Sequence, residues 1–491
     1  MNTSKPINTN FQLPLTIKDT QKGLIEKKFS AVELVDSYLE KINKYNKEYN
    51  IFLTVSEELA YSKAKETDKI LSYKDTKILS EKPLLGITVG YKDIFLTKGV
   101  RTTAASKVLE YYIPAYSATS VTRIETAGAI PLGKLNCDAF AHGSSGENSD
   151  FGPTKNPWNS EFVPGGSSSG SGAALSANMT IFTMGTDTCG SIRLPANYSY
   201  AVTIKPTYGA ISRYGVIAMA SSLDTVGPIG RTVEDVETVF NVIKGEDGFD
   251  GTVINKEPQS IKNKFKVGIP KEFFAEGLDS EIKENINSAI KVLEKQGVEF
   301  KEISLPSTKH GISVYYIIQP AEVSSNLGRF DGVRYGNGRD SFGEEAKRRI
   351  MLGAYVLSAG YYDAYYLKAM KVRSKIISEV NEVFTDVDAI IAPVAPTPPF
   401  KIGEKSADPL KMYLTDIYAA TANLCGIPSL ALPSGFTKSG LPLGFQLMGA
   451  RFSENNLFEL GKMYHKAINY EPKVALLEYH KAIGYVPKVA F

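Results

Sequence analysis

The segment PGGSSSGSGAALSANMTIFTMGTDTCGSIR, residues 164–193, contains two loops of small residues joined by a short apolar stretch. The first loop runs from Gly165 to Gly172 and the second from Gly185 to Ser191. Glycine permits backbone angles that other residues avoid, so such loops let several amide N–H groups converge on one atom. Hydroxyls beside converging amides supply a nucleophile and a site for an oxyanion. The alternative interpretation is a pair of flexible turns, because Gly- and Ser-rich segments often serve as linkers.

Length and charge place limits on the function. The 491 residues are 43% hydrophobic and 22% charged, which is typical of a soluble globular protein of several domains or one large α/β domain. The 56 basic and 53 acidic residues give a net charge of +3, and no long basic run is present. We therefore expect no direct nucleic-acid binding by this chain.

The cysteines and the N-terminus indicate a compartment. Cys137, Cys189 and Cys425 form no CxxC pair, which favours a reducing compartment and argues against a structural zinc site. The N-terminal residues lack the pattern of a signal peptide, and no apolar run approaches the ~18 residues of a membrane helix. The sequence therefore predicts a cytoplasmic protein that does not associate with membranes.

Three segments are predicted: a loose lead-in over residues 1–14, one domain over 15–470, and a tail over 471–491. Helices within residues 15–75 are expected to pack on the core of the domain. The tail region carries a near-exact tandem repeat, since YHKAINYEPKVA (464–475) recurs as YHKAIGYVPKVA (479–490). Two copies of so short a unit would not form a stable array, so we interpret the second copy as an appended tail.

Local patterns predict both helices and strands. Ser30 and Glu33 have the spacing of a capping box, followed by an apolar stripe at helical spacing. FKVGIP (265–270) predicts a strand, and residues 279–296 predict an amphipathic helix. SLALPSGF and GLPLGFQLMG predict a strand pair whose turn includes residues 438–440.

Lys92 lies in an otherwise apolar strand-like segment, PLLGITVGYKDIF, next to Asp93. An ammonium is costly to bury unless it is paired or loses its proton. Lys92 is therefore interpreted either as a structural residue that pairs with Asp93 or reaches solvent, or as a neutral lysine that acts as a general base.

A second lysine belongs to a misleading pattern. Gly128–Lys134 nearly matches a Walker A loop, but Leu135 stands where a magnesium-binding Ser or Thr is required. The glycines also bracket a predicted strand, so we do not interpret this segment as a phosphate site.

Longer motifs give the chain a family resemblance, and they stand in order along it. They are NCDAFAHGSSGENSDFGPTKNPWN, PGGSSSGSG, GTDTCGSIR, KPTYGAISRYGVIAMASSLD, SSNLGRFDGVRYG and SAGYYDAYY. The chain resembles the amidase signature family over residues 15–470, and within it the glutamine-hydrolysing subunits of tRNA-dependent amidotransferases. The run from Ser324 to Tyr366 points to these subunits. The resemblance implies a single large α/β/α domain whose mixed central sheet is covered by helices on both faces.

The resemblance also implies a role for individual residues. Ser191 would be the nucleophile, Ser167 a serine after a cis peptide bond, and Lys92 the base. The oxyanion hole would be formed by the amides of Thr188, Cys189, Gly190 and Ser191, and the substrate would be bound by Arg349 and Asp416. An arginine suits a carboxylate and an aspartate suits an ammonium, as free glutamine requires.

By the same resemblance, glutamine would be hydrolysed through a glutamyl-serine intermediate, and the ammonia would aminate Glu-tRNA(Gln) or Asp-tRNA(Asn). The partners in a heterotrimer would be a tRNA-binding kinase/amidase, the B subunit, and a small third protein, the C subunit. No metal or cofactor is expected in this chain, since ATP and magnesium would serve the partner's half-reaction. Cys189 replaces a glycine of the family, and a positive φ at that position would strain the oxyanion loop.

Other interpretations remain open. Gly166–Gly170 matches the GxSxG nucleophile elbow, which would need His310, His465 or His480 as its base. His142 is interpreted as a structural residue, with a place in the site as the alternative. The same triad would also serve another small amide, and loss of oxyanion geometry at Cys189 would leave a non-catalytic scaffold subunit.

Overall fold

The structure is a computed structural model that describes residues 11–73, 77–256 and 259–477. The second copy of the predicted repeat, 479–490, therefore lies outside the described residues, as does most of the predicted lead-in. Within the described tail, Ala475 is buried, and its amide donates a hydrogen bond of 2.8 Å to the Ser176 carbonyl.

The described residues form eleven strands and fifteen α-helices, with short 3₁₀ segments and one π-helical segment between them. The strands are β1 (Phe52–Val55), β2 (Thr88–Lys92), β3 (Ile130–Leu135), β4 (Phe182–Asp187), β5 (Val202–Lys205), β6 (Thr225–Gly230), β7 (Lys266–Pro270), β8 (Glu299–Ile303), β9 (Ala389–Pro393), β10 (Ser429–Phe436) and β11 (Pro442–Gly449). The helices are α1 (Ile17–Ile25), α2 (Ala31–Tyr49), α3 (Glu57–Ser72), α4 (Ile78–Glu81), α5 (Thr119–Thr126), α6 (Ser169–Ser176), α7 (Arg193–Tyr198), α8 (Val233–Ile243), α9 (Ser280–Lys295), α10 (Gly311–Leu327), α11 (Glu344–Val356), α12 (Lys368–Val383), α13 (Pro409–Tyr413), α14 (Ala420–Leu424) and α15 (Glu454–Ala467).

All eleven strands belong to one sheet, in the order β1-β3-β2-β4-β6-β5-β10-β11-β9-β7-β8. The pairs β2–β3, β2–β4, β7–β8 and β7–β9 are parallel, and the remaining pairs are antiparallel. The predicted mixed sheet is therefore confirmed. The join between β5 and β10 connects the first half of the chain to the second across the middle of the sheet.

Strand β10 shows that helices cover both faces of the sheet. Leu430 and Leu432 belong to the large core cluster that includes α8 and α15. The intervening residue, Ala431, packs instead with Leu194 and Tyr198 of α7. Since alternate residues of a strand point to opposite faces, α7 and α15 lie on opposite sides of the sheet. The predicted α/β/α layering is confirmed.

Several local predictions are also confirmed. Ser30 and Glu33 form both hydrogen bonds of the capping box at the start of α2. The predicted 265–270 strand is β7, and the predicted 279–296 helix is α9 with its cap residues. Strands β10 and β11 pair antiparallel as predicted.

Most of the Walker-like segment, Gly128–Lys134, belongs to strand β3. This agrees with the interpretation that the segment is not a phosphate-binding loop. Lys134 is fully buried, and its Nζ donates to the Phe95 carbonyl and, at 2.7 Å, to Thr102 Oγ1. The same Nζ lies 3.6 Å from Asp93 Oδ1, so this lysine neutralises a buried carboxylate. Among the described residues, no helix is long and apolar enough to cross a membrane.

Candidate active site

The strand order brings the predicted catalytic residues to one edge of the sheet. Strands β2 and β4 are parallel neighbours, with Val89 opposite Phe182 and Tyr91 opposite Met184. Strand β2 ends at Lys92, and β4 ends immediately before the loop that carries Ser191. The carboxyl ends of parallel strands meet at the same edge, which is where α/β folds commonly place their sites.

Lys92 is fully buried and is held by two hydroxyls. Its Nζ lies 2.7 Å from Ser167 Oγ and 3.0 Å from Thr186 Oγ1. The pKa of Lys92 is lowered because burial penalises the ammonium, although nearby acidic groups, Cys137 and Asp138 among them, oppose the shift. A lysine with a lowered pKa can accept a proton from a hydroxyl in contact with it.

The structural interpretation of Lys92, in which it pairs with Asp93 or reaches solvent, is wrong. Asp93 accepts hydrogen bonds from the amide and hydroxyl of Thr103 and is neutralised by Lys134. Strand β2 ends at Lys92, and the two neighbouring side chains have different hydrogen-bond partners. Lys92 does not reach solvent either, because its exposed fraction is 0%.

The first Gly/Ser loop is a fixed structure and not a flexible turn. The Gly166–Ser167 peptide bond is cis, and the Ser167 carbonyl accepts from the Asp138 amide at 3.1 Å. The Ser168 amide donates to the Ser191 carbonyl at 3.0 Å, which ties the two loops together. Since all four serines of the first loop are fully buried, the interpretation as a flexible turn is wrong.

A buried ion pair shapes the second loop. Asp187 and Arg193 are fully buried and make two hydrogen bonds, Nε to Oδ2 at 3.0 Å and Nη2 to Oδ1 at 3.1 Å. Asp187 Oδ1 also accepts from the Gly190 amide at 2.7 Å. The Gly190 amide is therefore engaged within the loop, which corrects its predicted place in the oxyanion hole. The amides of Thr188, Cys189 and Ser191 remain as candidate donors.

Cys189 is accommodated without the expected backbone strain. The positive φ in this loop, 104°, belongs to Gly190, and Cys189 is not among the residues with positive φ. A side chain at position 190 would contact Ala419 Cβ at 2.7 Å, so that position requires glycine. Burial raises the pKa of the Cys189 thiol well above its usual value, and Asp416 raises it further.

Arg349, on α11, is nearly fully buried and is held from several sides. Its Nε donates to Glu345 Oε1 at 2.8 Å and its Nη1 donates to Gln319 Oε1 at 3.1 Å. The rings of Tyr316 and Tyr413 stack 3.8 Å apart, and the guanidinium lies within 5.4 Å of both ring centres. A cation fixed in this way is pre-organised to bind an anion.

Asp416 shares this region with Arg349, and Tyr316 connects the two. The Tyr316 hydroxyl donates to Asp416 Oδ2 at 3.3 Å, and the Ser144 hydroxyl donates to the same oxygen at 2.6 Å. Burial raises the pKa of Asp416 to about 7, against the effect of Ser144 and Arg349. The Asp416 carbonyl accepts from the Ala419 amide at 3.0 Å, and Ala419 Cβ lies 2.7 Å from where a Cβ of Gly190 would stand, so Asp416 lies close to the loop of Ser191.

No histidine among the described residues serves the nucleophile elbow. His310 is exposed at the end of a 3₁₀ segment, and His465 stacks on Tyr470 with ring centres 3.8 Å apart. His480 lies outside the described residues. His142 is buried, and burial and Arg349 lower its pKa well below the usual value. Ser144, two residues further along the chain, donates to Asp416, which places His142 near the predicted binding pair.

The sequence predictions missed the residues that hold these groups in place, which are Thr186, Asp187, Gln319, Glu345, Tyr316 and Tyr413. Asp187 and Arg193 could have been found from the sequence, since two opposite charges flank Ser191 within a loop of small residues. No sequence pattern identifies Gln319 and Tyr413, because they contact Arg349 from separate helices, α10 and α13.

The fold, in which a buried lysine contacts a serine beside a glycine-rich loop, is that of an amidase, and the chain belongs to the amidase family. The family model described as Amidase matches residues 33–458. Among curated proteins, the A subunit of glutamyl-tRNA(Gln) amidotransferase from Trichlorobacter lovleyi is 46% identical over 485 residues, covering 94% of this chain and 99% of that protein. The corresponding protein of Alkaliphilus metalliredigens is 48% identical over 469 residues, covering 91% of this chain and 94% of that protein.

Solved structures agree with this assignment. The crystal structure of the same amidotransferase polypeptide from Thermotoga maritima is similar with a TM-score of 0.78 and 40% identity, covering 92% of this chain and 94% of that chain. A 6-aminohexanoate cyclic dimer hydrolase has a TM-score of 0.84 at 21% identity, covering 96% of this chain and 100% of that chain, which shows the shared fold alone.

Proposed function

We propose that this chain hydrolyses the side-chain amide of glutamine, giving glutamate and ammonia, as the glutaminase component of a tRNA-dependent amidotransferase. The observation that carries the proposal is the contact of 2.7 Å between the buried Lys92 Nζ and Ser167 Oγ, beside the loop of Ser191. Relatives 46–48% identical over nearly the whole chain bear the name of such a component, which supports the choice of substrate.

In the proposed reaction, Ser191 Oγ attacks the amide carbon and its proton passes through Ser167 to Lys92. The amides of Thr188, Cys189 and Ser191 stabilise the oxyanion of the tetrahedral intermediate. The C–N bond then breaks and Lys92 returns the proton to the departing ammonia. Water attacks the glutamyl ester by the same route in reverse, which releases glutamate and restores the serine.

Arg349 and Asp416 would select the substrate. Glutamine carries a carboxylate and an ammonium on one carbon, and Arg349 and Asp416 both contact Tyr316. A guanidinium binds a carboxylate with two parallel hydrogen bonds, and a carboxylate binds an ammonium at short range. An amide that lacks the carboxylate or the ammonium would lose the corresponding contact with Arg349 or Asp416, and with it binding energy at this site.

The wider assignment follows from the same resemblance. The ammonia would pass to a kinase/amidase partner, the B subunit, that holds the misacylated tRNA, and a small C subunit would complete a cytoplasmic heterotrimer. ATP and magnesium would serve that partner's half-reaction, and this chain would need neither a metal nor a cofactor. Its near-neutral charge of +3 is compatible with tRNA contact through the partner.

Ammonia release from glutamine tests the proposal, measured for the full chain with and without the two expected partner proteins. We expect release that depends on Ser191 and Lys92, with Ser191→Ala and Lys92→Ala each at background. The exposed Ser374 offers a matched control, and Ser374→Ala should keep full activity. Release that survives Ser191→Ala would overturn the proposed mechanism.

A further inference from the structure

Gln319 is a buried residue of α10 whose amide is only half satisfied. Its exposed fraction is 0%, and its Oε1 accepts a hydrogen bond of 3.1 Å from Arg349 Nη1. Its Nε2 has no hydrogen-bond partner among the described residues. A guanidinium has only donors, so the amide oxygen has to face Arg349 and the two ends of the amide are not interchangeable.

Buried amide donors nearly always meet an acceptor in folded proteins. The open Nε2 therefore requires an acceptor that occupies the site from outside the chain. It lies beside the guanidinium, because Nε2 and Oε1 belong to the same planar amide. Both ring nitrogens of His142, which also lies near Arg349, are likewise buried without partners among the described residues. This part of the site therefore holds buried polar groups whose hydrogen-bonding capacity is not used within the described residues.

Arg349 itself keeps hydrogen-bonding capacity for that ligand. A guanidinium has five N–H donors, of which Nε–H is engaged by Glu345 and one Nη1–H by Gln319. The remaining donors and the Gln319 amide can therefore approach the same anion. A carboxylate, with about four acceptor positions on two oxygens, fits such a set of neighbouring donors.

We propose that Gln319 Nε2 donates to the α-carboxylate of the substrate beside Arg349, and that Gln319 is a specificity-determining residue for amides bearing that carboxylate. This inference rests on the proposed hydrolysis of glutamine. Gln319 has two tasks in this account. Its oxygen orients Arg349, and its nitrogen contacts the substrate.

The variant Gln319→Glu separates the two tasks. Glutamate keeps the shape and the acceptor for Arg349, but it replaces the donor with a negatively charged oxygen that repels a carboxylate. A charge at position 319 would weaken the binding of glutamine even without a contact. The methyl ester of L-glutamine keeps an acceptor carbonyl but carries no charge at that end, so if Gln319 only orients Arg349, Gln319→Glu should bind this ester as well as the native chain does. If Nε2 contacts the substrate, the variant should raise the KM for glutamine about tenfold or more, with kcat changed less than about threefold.

The experiment compares two amides with the full chain and its partner proteins. L-glutamine carries the carboxylate, whereas 4-aminobutanamide is the same molecule without it. We expect Gln319→Glu to lower kcat/KM for glutamine at least tenfold and to change that for 4-aminobutanamide less than threefold. The exposed Gln296 supplies a matched control, and Gln296→Glu should change neither value. Equal losses on both amides, or no loss on glutamine, would overturn the inference.

Calorimetric binding of L-glutamine to the Ser191→Ala chain keeps the test independent of turnover. Adding Gln319→Glu to that chain should weaken binding at least tenfold, and unchanged binding would overturn the inference. If the native chain shows no Ser191-dependent hydrolysis, the proposed function fails by itself. The binding result then still decides whether Gln319 contacts the carboxylate.

Discussion

Arg193 and Asp187 form a buried, doubly hydrogen-bonded ion pair across the short loop that carries Ser191. The guanidinium holds the pKa of the Asp187 carboxyl low, at about 2, against the opposing effect of burial. The carboxylate in turn fixes the Gly190 amide at 2.7 Å. The geometry of the proposed oxyanion loop therefore depends on a charge pair that makes no contact with the substrate in the proposed reaction.

Asp187→Asn should destabilise the protein and reduce turnover together. The change leaves the Arg193 guanidinium buried without its counter-charge, which costs about 3–5 kcal/mol in comparable pairs. Urea denaturation measures the free energy of unfolding, and ammonia release at saturating glutamine measures kcat. Asp386→Asn is the control, because it weakens two ion pairs at the surface, with Lys266 and Lys301, and should leave the urea midpoint nearly unchanged. A stable, fully active Asp187→Asn chain would contradict this account.

Thr186→Val should lower kcat about tenfold without raising the KM for glutamine. The valine keeps the shape of the side chain and removes the hydroxyl that lies 3.0 Å from Lys92 Nζ, so the base is less well positioned. Steady-state ammonia release gives both constants. Thr183→Val alters a buried hydroxyl of the same strand that bonds the Ser171 carbonyl, and it should leave kcat unchanged. Equal effects of the two substitutions would argue against positioning by Thr186.

The efficiency of glutamine hydrolysis should fall as the pH drops through about 7. The Asp416 pKa of about 7 means that the free site loses its negative charge below that pH, and with it the attraction for the α-ammonium. The pH profile of kcat/KM measures this loss. Glutaramate lacks the ammonium, so its kcat/KM should not depend on the charge of Asp416. The kcat/KM for glutaramate should fall at low pH only through protonation of Lys92. Identical profiles for both amides would exclude the proposed role of Asp416.

Cys189→Gly should destabilise the protein slightly and bring no gain in activity. Cys189 does not occupy the positive-φ region, so glycine relieves no strain. Glycine increases the conformational freedom of the unfolded chain, which lowers the free energy of unfolding by about 0.4–1 kcal/mol in comparable exchanges. The loss of the buried side chain lowers it further. Urea denaturation and ammonia release measure both effects, with Cys189→Ala as the variant that keeps Cβ. A rise in kcat of tenfold on Cys189→Gly would restore the strain hypothesis.

The groups that can be predicted from the sequence lie in short, chemically distinctive segments. The two Gly/Ser loops and the isolated Lys92 stand out because small residues and a charge in an apolar strand are local signals. Strand β7, helix α9 and the β10–β11 pair are likewise evident from periodicity and turn residues. Such predictions succeed where neighbouring residues in the chain are also neighbours in space.

Contacts between distant parts of the chain could not be predicted in this way. Asp93 stands next to Lys92 in the chain but is neutralised by Lys134, which belongs to the neighbouring strand β3. Tyr316 unites Arg349 and Asp416 although it lies on a different helix from both. The orientation of the Gly190 amide towards Asp187 depends on backbone dihedral angles that residue types alone do not define.

The pairing of β5 with β10 has a consequence during synthesis of the chain. Lys92, Ser167 and Ser191 all leave the ribosome before Arg349 and Asp416 are made, so the reactive groups precede those that choose the substrate. Until β10 arrives, β5 has an unpaired edge open to other strands. A chain that terminates before β10 is therefore expected to aggregate through this edge.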